Sequence, residues 1–442
     1  MTDPRTWIVI GAGPAGLLAA CRLADEGHSV TVLEAESELG GRVSKVRVDG
    51  IDIDAGAESF ATRGGHVEKL IDDIGLTDKL VAPAGGPAWI VGPDRSYPMP
   101  AAGWLGIPTK SLSRDVRKAL GWSGALRAAV ERWMPVEEVA PDDHLGEVAR
   151  RRLGDIATDR LLAPVVSGIF SRPIDELRID AAAAGFAAEI SELGLTRAAA
   201  KRRALAPAGA SVMGLEGGMF TLTDVLAERA RARGVTIYTD APVYSLTRSE
   251  DSTPGGRPSN DVPGWDMVTE SNHWHADEVV MAASRPVAAS LVPQLERAPD
   301  RQVGLVTLSL DAPELDSHPR GSGVLAVEGV THAKALTHAS AKWNWVAQAA
   351  PSRHIIRLSY NVESAQDLSD YALADASRLL GVPLKDQQVR DLVQVTWHDA
   401  APTRAGDREP APGLHLVGSA AGFSGLAAIA DDDARSTLGA RT

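Results

Sequence analysis

This 442-residue chain has one cysteine, Cys21, and that scarcity removes two classes of protein at once. No internal disulfide framework can form, and no cysteine-based metal cluster can be assembled. A single thiol inside a helical stretch of small apolar residues reads as a packed side chain, consistent with a reducing cytoplasm. Positive charge is also short: 45 Lys and Arg against 58 Asp and Glu give a net charge of −13. That balance argues against nucleic acid as a general partner, because such binding neutralises phosphates with cations, and it disfavours simple electrostatic adhesion to anionic lipid. No apolar run reaches the ~18 residues of a spanning helix, so peripheral contact is the membrane association left open. The first residues lack a cationic segment followed by a long apolar stretch, and no signal peptide is expected. The eleven histidines are scattered without a His-Glu-x-x-His or comparable spacing, so no metal centre is expected. Gly422-Phe423-Ser424-Gly425 lacks the Gly-x-Ser-x-Gly spacing of a hydrolase elbow.

What the chain does have is concentrated in Trp7 to Arg42, WIVIGAGPAGLLAACRLADEGHSVTVLEAESELGGR. An apolar run enters Gly11-Ala12-Gly13-Pro14-Ala15-Gly16, a helical stretch follows, and a second apolar run ends in Glu34. In a strand–turn–helix–strand unit Gly11 permits the tight turn, Gly13 lets the backbone approach a pyrophosphate, and Gly16 lets helix and strand pack closely. Glu34 can accept hydrogen bonds from a ribose, while the helix N-terminus offers free N–H groups and a favourable dipole to phosphate. This pattern alone does not separate NAD from FAD. The extension Leu39-Gly40-Gly41-Arg42 resembles the FAD-binding start of the amine oxidase, phytoene desaturase and protoporphyrinogen oxidase superfamily, which makes FAD the expected cofactor.

The length calls for more than one core. Val46 to Ile53 alternates like an edge strand and leads to Asp54-Ala55-Gly56-Ala57-Glu58-Ser59. Pro108 to Leu205 reads as mostly helical. Glu216-Gly217-Gly218-Met219 opens an amphipathic helix through Arg233 that Gly234 stops, followed by strands over Val235–Tyr238 and 243–246, an exposed hairpin loop over 248–266, and a buried strand over 277–282. Strands over 303–310, 323–327 and 354–360 and a helix over 369–380 then suggest a second sheet, and a last strand and helix follow from Gly413 and Gly425. The expected fold is α/β: a Rossmann-like FAD-binding domain (1–95, 206–285 and 405–442), an inserted helical region (96–205) and a mixed α+β substrate domain (286–404).

With these parts in order, the chain resembles the bacterial oxygen-dependent protoporphyrinogen/coproporphyrinogen oxidases over nearly its full length. Beyond the opening unit, the resemblance is carried by Asp54 to Phe60 with Thr62-Arg63, Tyr97-Pro98-Met99-Pro100, Gly106-Ile107-Pro108, Arg151-Arg152-Leu153-Gly154, Pro164 to Phe170, Gly214 to Met219, Ala341-Lys342-Trp343 and Leu416-Val417-Gly418. It implies FAD-dependent removal of six electrons from a porphyrinogen in three flavin cycles, with oxygen regenerating the flavin and releasing hydrogen peroxide. Coproporphyrinogen III is the leading substrate and protoporphyrinogen IX the near alternative. The resemblance also leaves open a partner enzyme of the haem pathway.

Carried over residue by residue, the resemblance places Gly11 to Gly16, Glu34, Ala35, Gly41, Arg42, Gly56, Ala57, Glu58, Ser59, Val243, Gly425, Leu426 and Ala427 against FAD. The flavin supplies the oxidative chemistry, so no general base is named and no catalytic side chain assigned. Propionates on an acidic protein need local cations, which points to Arg63. A glycine that admits a flat ring beside apolar residues that exclude water points to Gly168, Ile169 and Phe170. Lys342 with Trp343 reads equally as a solvated lysine beside a buried aromatic and is left outside the site. The cluster Arg197, Lys201, Arg202 and Arg203 reads as a solvated helix face. The segment 401–410 looks shortened relative to the resembled family. Two rivals remain: a flavin amine oxidase, whose acidic residue in the last motif is missing from Gly418-Ser419-Ala420, and a binding protein of the GDP-dissociation-inhibitor type, against which the retained Glu34, Gly41-Arg42 and Gly425 region argues.

Overall fold

The computed structural model describes residues 4–62, 64–84, 86–205, 212–249, 264–295, 302–362, 367–398, 410–423, 425–435 and 438. Its first unit is built on the opening motif. Strand Thr6–Ile10, buried from Trp7 onward, pairs in parallel with Ser29–Leu33 on one side and Glu278–Met281 on the other. Thr236–Tyr238 and Leu414–Leu416 extend this parallel sheet to five strands, both edges arriving from far along the chain. Apolar residues on both faces explain the unbroken Ile/Val runs, as expected of parallel sheets covered on both sides. One face packs under helices Pro14–Asp25, Phe220–Ala232 and Leu426–Arg435. The other is covered by the antiparallel meander Ser245–Arg248, Trp265–Val268 and His273–Ala276, which contributes Trp265 and Met267 to the core. Cys21 packs in the helical layer, donating to the Leu226 carbonyl, and burial raises its pKa.

The second sheet has seven strands, in the order Val389–His398, Gln302–Leu310, His354–Val362, Ala335–His338, Gly323–Ala326, Trp89–Val91 and Ser96–Pro98. Helix Ser369–Leu380 covers one face. The strands expected over 303–310, 323–327 and 354–360 all belong to this sheet, and the expected helix over 369–380 is present. Two differences stand out. Trp89–Val91 and Ser96–Pro98, allotted by sequence to the nucleotide domain and the start of the insert, pair here through Val324↔Trp89. And 46–53 is a hairpin of two short strands, Lys45–Val48 and Ile51–Asp54, rather than one edge strand. Asp49 and Gly50 both take positive φ at its tip, the backbone of a tight two-residue hairpin turn that alternation alone does not reveal.

Residues 114–204 are mostly helical, as read from the sequence over Pro108 to Leu205, and wrap a core of their own. At its centre Arg152, from the Arg-Arg-Leu-Gly motif, forms a buried pair with Glu131. Glu131 also accepts from the Leu195 and Thr196 amides, so one carboxylate caps helix Leu195–Ala204 and neutralises the buried guanidinium. The basic residues of that helix are engaged by neighbours rather than simply solvated. Arg202 and Lys201 pair with Glu189, Arg203 donates to the Gly103 carbonyl and Arg197 to that of Arg132.

No described helix is long and apolar enough to cross a membrane. Helix Arg114–Val130 is broken at Gly121, and beyond the break it carries a solvent-facing stripe of Trp122, Leu126 and Val130, continued by Trp133, which is 74% exposed.

Candidate flavin site

The glycine turn is fixed by its own backbone. The Gly11 amide donates to the Leu33 carbonyl at 2.8 Å, and with φ of +103° and Ala282 backbone 3.1 Å from any added Cβ this position admits only glycine. At Gly16 a Cβ would lie 2.0 Å from the Gly11 carbonyl oxygen, the close helix–strand approach that the motif requires. Gly13 and Gly41 are different. A Cβ on Gly13 would meet nothing nearer than the Gly40 carbonyl oxygen at 3.8 Å, and one on Gly41 nothing nearer than Gly13 Cα at 4.0 Å. The two glycines therefore border open space, at a helix N-terminus that no side chain caps. A second loop is tied to the first by Gly40 N–H donating to the Ala12 carbonyl at 3.0 Å, and a third by Ala57 N–H donating to the Arg42 carbonyl at 2.8 Å. Gly56 has backbone of Arg42 where a side chain would stand, 2.3 Å from its Cβ position.

Glu34 ends its strand buried, with one carboxylate oxygen accepting from the Ala12 amide at 2.6 Å and the other from Glu36 at 3.1 Å. It thereby locks the glycine turn to the second strand, and each oxygen retains acceptor capacity. Ala35 follows on the surface. Val243 packs beneath Leu33 in the meander-side core, and the segment leading to it is anchored by Ala241 N–H to the Glu34 carbonyl. Gly418 brings the last strand against the first helix, its Cβ position 2.6 Å from that of Ala15. Gly425, with φ of +82°, then starts the helix that contains Leu426 and Ala427 and packs beside the first. Gly11 to Gly16, Glu34, Gly41, Arg42, Gly56 and Ala57 thus lie in loops tied together around one helix N-terminus, whereas Val243 packs in the meander-side core.

The loop 54–58 is held from the seven-stranded sheet by residues that the sequence reading did not assign. Arg357 donates to the carbonyls of Asp54 and Gly56 at 3.1 and 2.8 Å and pairs with Glu58 at 3.0 Å. Lys342 pairs with the other Glu58 oxygen at 2.6 Å and lies over the buried Trp343 ring. Trp397 donates to the Ala55 carbonyl at 3.1 Å. Lys342 is therefore an ion-pair partner, which corrects its reading as a solvated side chain; the Ala341-Lys342-Trp343 motif was the one signal for it. Burial alone would raise the Glu58 carboxyl, but Arg357 and Lys342 prevail and hold it down at about 2. Four residues earlier burial wins: Asp54, accepting from the Phe220 amide at 3.1 Å, is pushed up to about 7.

The expected substrate residues are less concentrated. Arg63 lies outside the described residues, as do 399–409, which hold nearly all of the shortened segment. On helix Ala163–Phe170, the Gly168 Cβ position is 2.6 Å from Leu325, and Phe170 packs against the helical core. Ile169 is 59% exposed.

An open glycine cradle, an uncapped helix N-terminus and an acid ending the second strand define a dinucleotide-binding oxidoreductase site, and the Gly13–Gly41 gap has the backbone approach that a pyrophosphate needs. The model for "Flavin containing amine oxidoreductase" matches residues 14–425. The chain belongs to that family, and FAD is its cofactor. It is 29% identical to coproporphyrinogen III oxidase of Mycobacterium tuberculosis over 88% of this chain and 85% of the relative, and 34% identical to that of Bacillus subtilis over 40% of each. Among solved structures, one from Exiguobacterium named for protoporphyrinogen oxidase superposes with TM-score 0.79 at 25% identity, covering 98% of this chain and 97% of its own. Putrescine oxidase shares the fold at TM-score 0.64 and 16% identity, over 98% of both chains.

Proposed function

We propose that this chain oxidises coproporphyrinogen III to coproporphyrin III in haem biosynthesis, with oxygen as electron acceptor and hydrogen peroxide as second product. The observation that carries the reading is the extent of the match to the mycobacterial coproporphyrinogen III oxidase, 88% of this chain, which spans both sheets. The Exiguobacterium neighbour keeps protoporphyrinogen IX as the second reading.

FAD supplies the two-electron oxidation; the chain supplies placement and charge. The Gly11–Gly16 turn and the helix after it take the pyrophosphate, with Gly41 and Arg42 on the facing side. Glu34 offers its remaining lone pairs to the ribose, beside Ala35 and Val243. The Gly56–Ser59 loop, clamped by Arg357, Lys342 and Trp397, and the Gly425-Leu426-Ala427 helix start border the flavin ring, where a helix N-terminus favours negative charge on the reduced ring. Arg63 binds a propionate, and Gly168, Ile169 and Phe170 form an apolar wall for the macrocycle. No side chain is assigned as a general base. The working division is a flavin unit on the five-stranded sheet, a helical insert over 99–205, and a substrate unit on the seven-stranded sheet that takes in 89–98.

The proposed location is the cytoplasm, with peripheral membrane contact through the Trp122, Leu126, Val130 and Trp133 stripe. Although the chain is acidic, residues 110–133 carry Lys110, Arg114, Arg117, Lys118, Arg127 and Arg132 against Asp115 and the buried Glu131, with Glu137 and Glu138 following. Arg117 stacks on Trp122 at 4.4 Å. Exposed aromatic and aliphatic residues with an arginine stacked beside them suit a membrane interface.

The test is porphyrin fluorescence from purified, FAD-loaded protein given coproporphyrinogen III and protoporphyrinogen IX side by side in air. Faster porphyrin formation from the first is expected. A faster rate from the second moves the assignment to protoporphyrinogen, and no porphyrin from either overturns both.

A further inference from the structure

Three histidines from separate elements meet at one end of two interior strands of the seven-stranded sheet. His338 ends strand Ala335–His338, His354 begins the strand paired with it, and His318 lies in the loop that crosses above them. One ring nitrogen from each lies within 4.8 Å of the other two. His338 Nε2 is 3.0 Å from His354 Nδ1, and His354 Nε2 is 3.1 Å from a carboxylate oxygen of Asp316.

The proton count leaves a gap. With Asp316 accepting from His354 Nε2–H, His354 Nδ1 carries a lone pair aimed at His338. His338 Nε2–H can donate to it, but no partner fixes that tautomer, because the other ring nitrogen, Nδ1, is buried without a hydrogen-bond partner on a residue of zero exposure, so Nε2 is equally able to present a lone pair. A cation between His338 Nε2 and His354 Nδ1 would take a lone pair from each in place of their mutual hydrogen bond. His318 completes the set from the solvent side, its ring edge-on to His338 at 5.1 Å between centroids and its backbone at the positive φ of +46°.

We propose that His318, His338 and His354 form a binding site for a divalent transition-metal ion of the Zn2+ class, with Asp316 orienting His354 from behind and the fourth position open to water. Three imidazoles with one position open suit such an ion, and a carboxylate on the far nitrogen of a ligating histidine is the usual way its tautomer and ring orientation are fixed. Tetrahedral Zn–N bonds of about 2.0–2.1 Å put ligand nitrogens roughly 3.3 Å apart. The 3.0 Å pair is close to that spacing, and the exposed His318 needs a closing movement of at most about 1.5 Å to reach it. Neighbouring Thr337 points through the other face of the sheet to Glu58, 3.4 Å away. The ion would thus sit behind the flavin junction and touch none of the residues assigned to FAD.

The experiment uses tag-free, full-length, FAD-loaded protein, stripped of metal with chelator and titrated with zinc sulfate by calorimetry, with bound zinc counted by elemental analysis after dialysis. One saturable equivalent is expected. His318→Ala, at an exposed ligand whose loss leaves the core intact, should abolish that equivalent while flavin content stays unchanged. Asp316→Asn should weaken it about tenfold to a hundredfold, and His273→Ala, on the distant meander, should not alter it. Zinc should also raise the melting temperature of the parent protein but not of His318→Ala. Absence of a stoichiometric equivalent in the parent, or the same isotherm for the parent and His318→Ala, would overturn the proposal.

Discussion

The glycine turn after Ile10 and the charged junction around Glu58 each fix a loop beside the flavin site, but by different means. The turn is held by neighbouring backbone and one nearby side chain: Gly11 N–H reaches the Leu33 carbonyl, Gly40 N–H reaches that of Ala12, and the Glu34 carboxylate accepts from the Ala12 and Glu36 amides. The junction is held by side chains from another sheet, with Arg357, Lys342 and Trp397 reaching carbonyls and one carboxylate of the loop 54–58. The first arrangement is local, so a short stretch of sequence contains it whole. The second exists only when both sheets are folded and in contact, which makes it the seam between the flavin unit and the substrate unit.

That contrast is open to test. The largest effect is expected at the seam. Arg357→Met leaves Glu58 with Lys342 alone and releases the Asp54 and Gly56 carbonyls, and breaking such a largely buried pair should cost about 3 kcal/mol, read as a fall in melting temperature. The double variant Glu58→Gln/Arg357→Met should recover none of that loss, because Lys342, still paired with Glu58 in the single variant, is left without its carboxylate; a recovery would mean that the ion pairs do not hold the loop. At the turn, Gly16→Ala drives a Cβ into the Gly11 carbonyl and should cost about 1–3 kcal/mol, together with a lower flavin-to-protein absorbance ratio. Retained flavin at parental stability would show that helix and strand separate more easily than the 2.0 Å approach allows.

A smaller effect separates the two acids of the junction. The Glu58 carboxyl lies near 2 against an ordinary 4.5, so its contribution to stability is present above about pH 4.5 and is lost as the pH falls toward 2. Asp54 is raised from 3.8 to about 7, so the folded state holds its proton more tightly and stability is lost as the pH rises from about 4 through 7. Asp54→Asn should flatten that decline and add on the order of 1 kcal/mol at pH 8, visible in melting curves recorded across that range. A variant that loses stability equally at pH 5 and pH 8 would assign Asp54 a purely hydrogen-bonding role. The smallest stability change is expected on the insert, where Trp133→Ser should stay within about 0.5 kcal/mol. The same change should lower cosedimentation with anionic vesicles, and unchanged sedimentation would remove the stripe from the membrane account.

The sequence carried the first strand, helix and second strand because their signals are contiguous: an apolar run, glycines at fixed offsets and an acid at the strand end. It also carried helices 220–232 and 369–380, where periodicity is strong and glycine marks the stop. It did not carry the hairpin at 45–54, whose turn depends on Asp49 taking a left-handed backbone, or the placement of 89–98, which is decided by a parallel partner at Gly323–Ala326. Lys342 was quoted as part of a motif yet its role was hidden, because its partner Glu58 lies 284 residues away. Arg357 and the histidine trio had no local signature; pairing between strands 335–338 and 354–362 aligns those side chains.

The central claim is tested most directly by mixing the FAD-loaded protein with coproporphyrinogen III in the absence of oxygen and following the visible flavin band. The account predicts that the band bleaches without oxygen, as one two-electron step reduces the flavin, and that the band returns and porphyrin fluorescence appears only when air is admitted to complete the six-electron oxidation. A flavin band that stays unchanged with bound FAD and excess coproporphyrinogen III would contradict it.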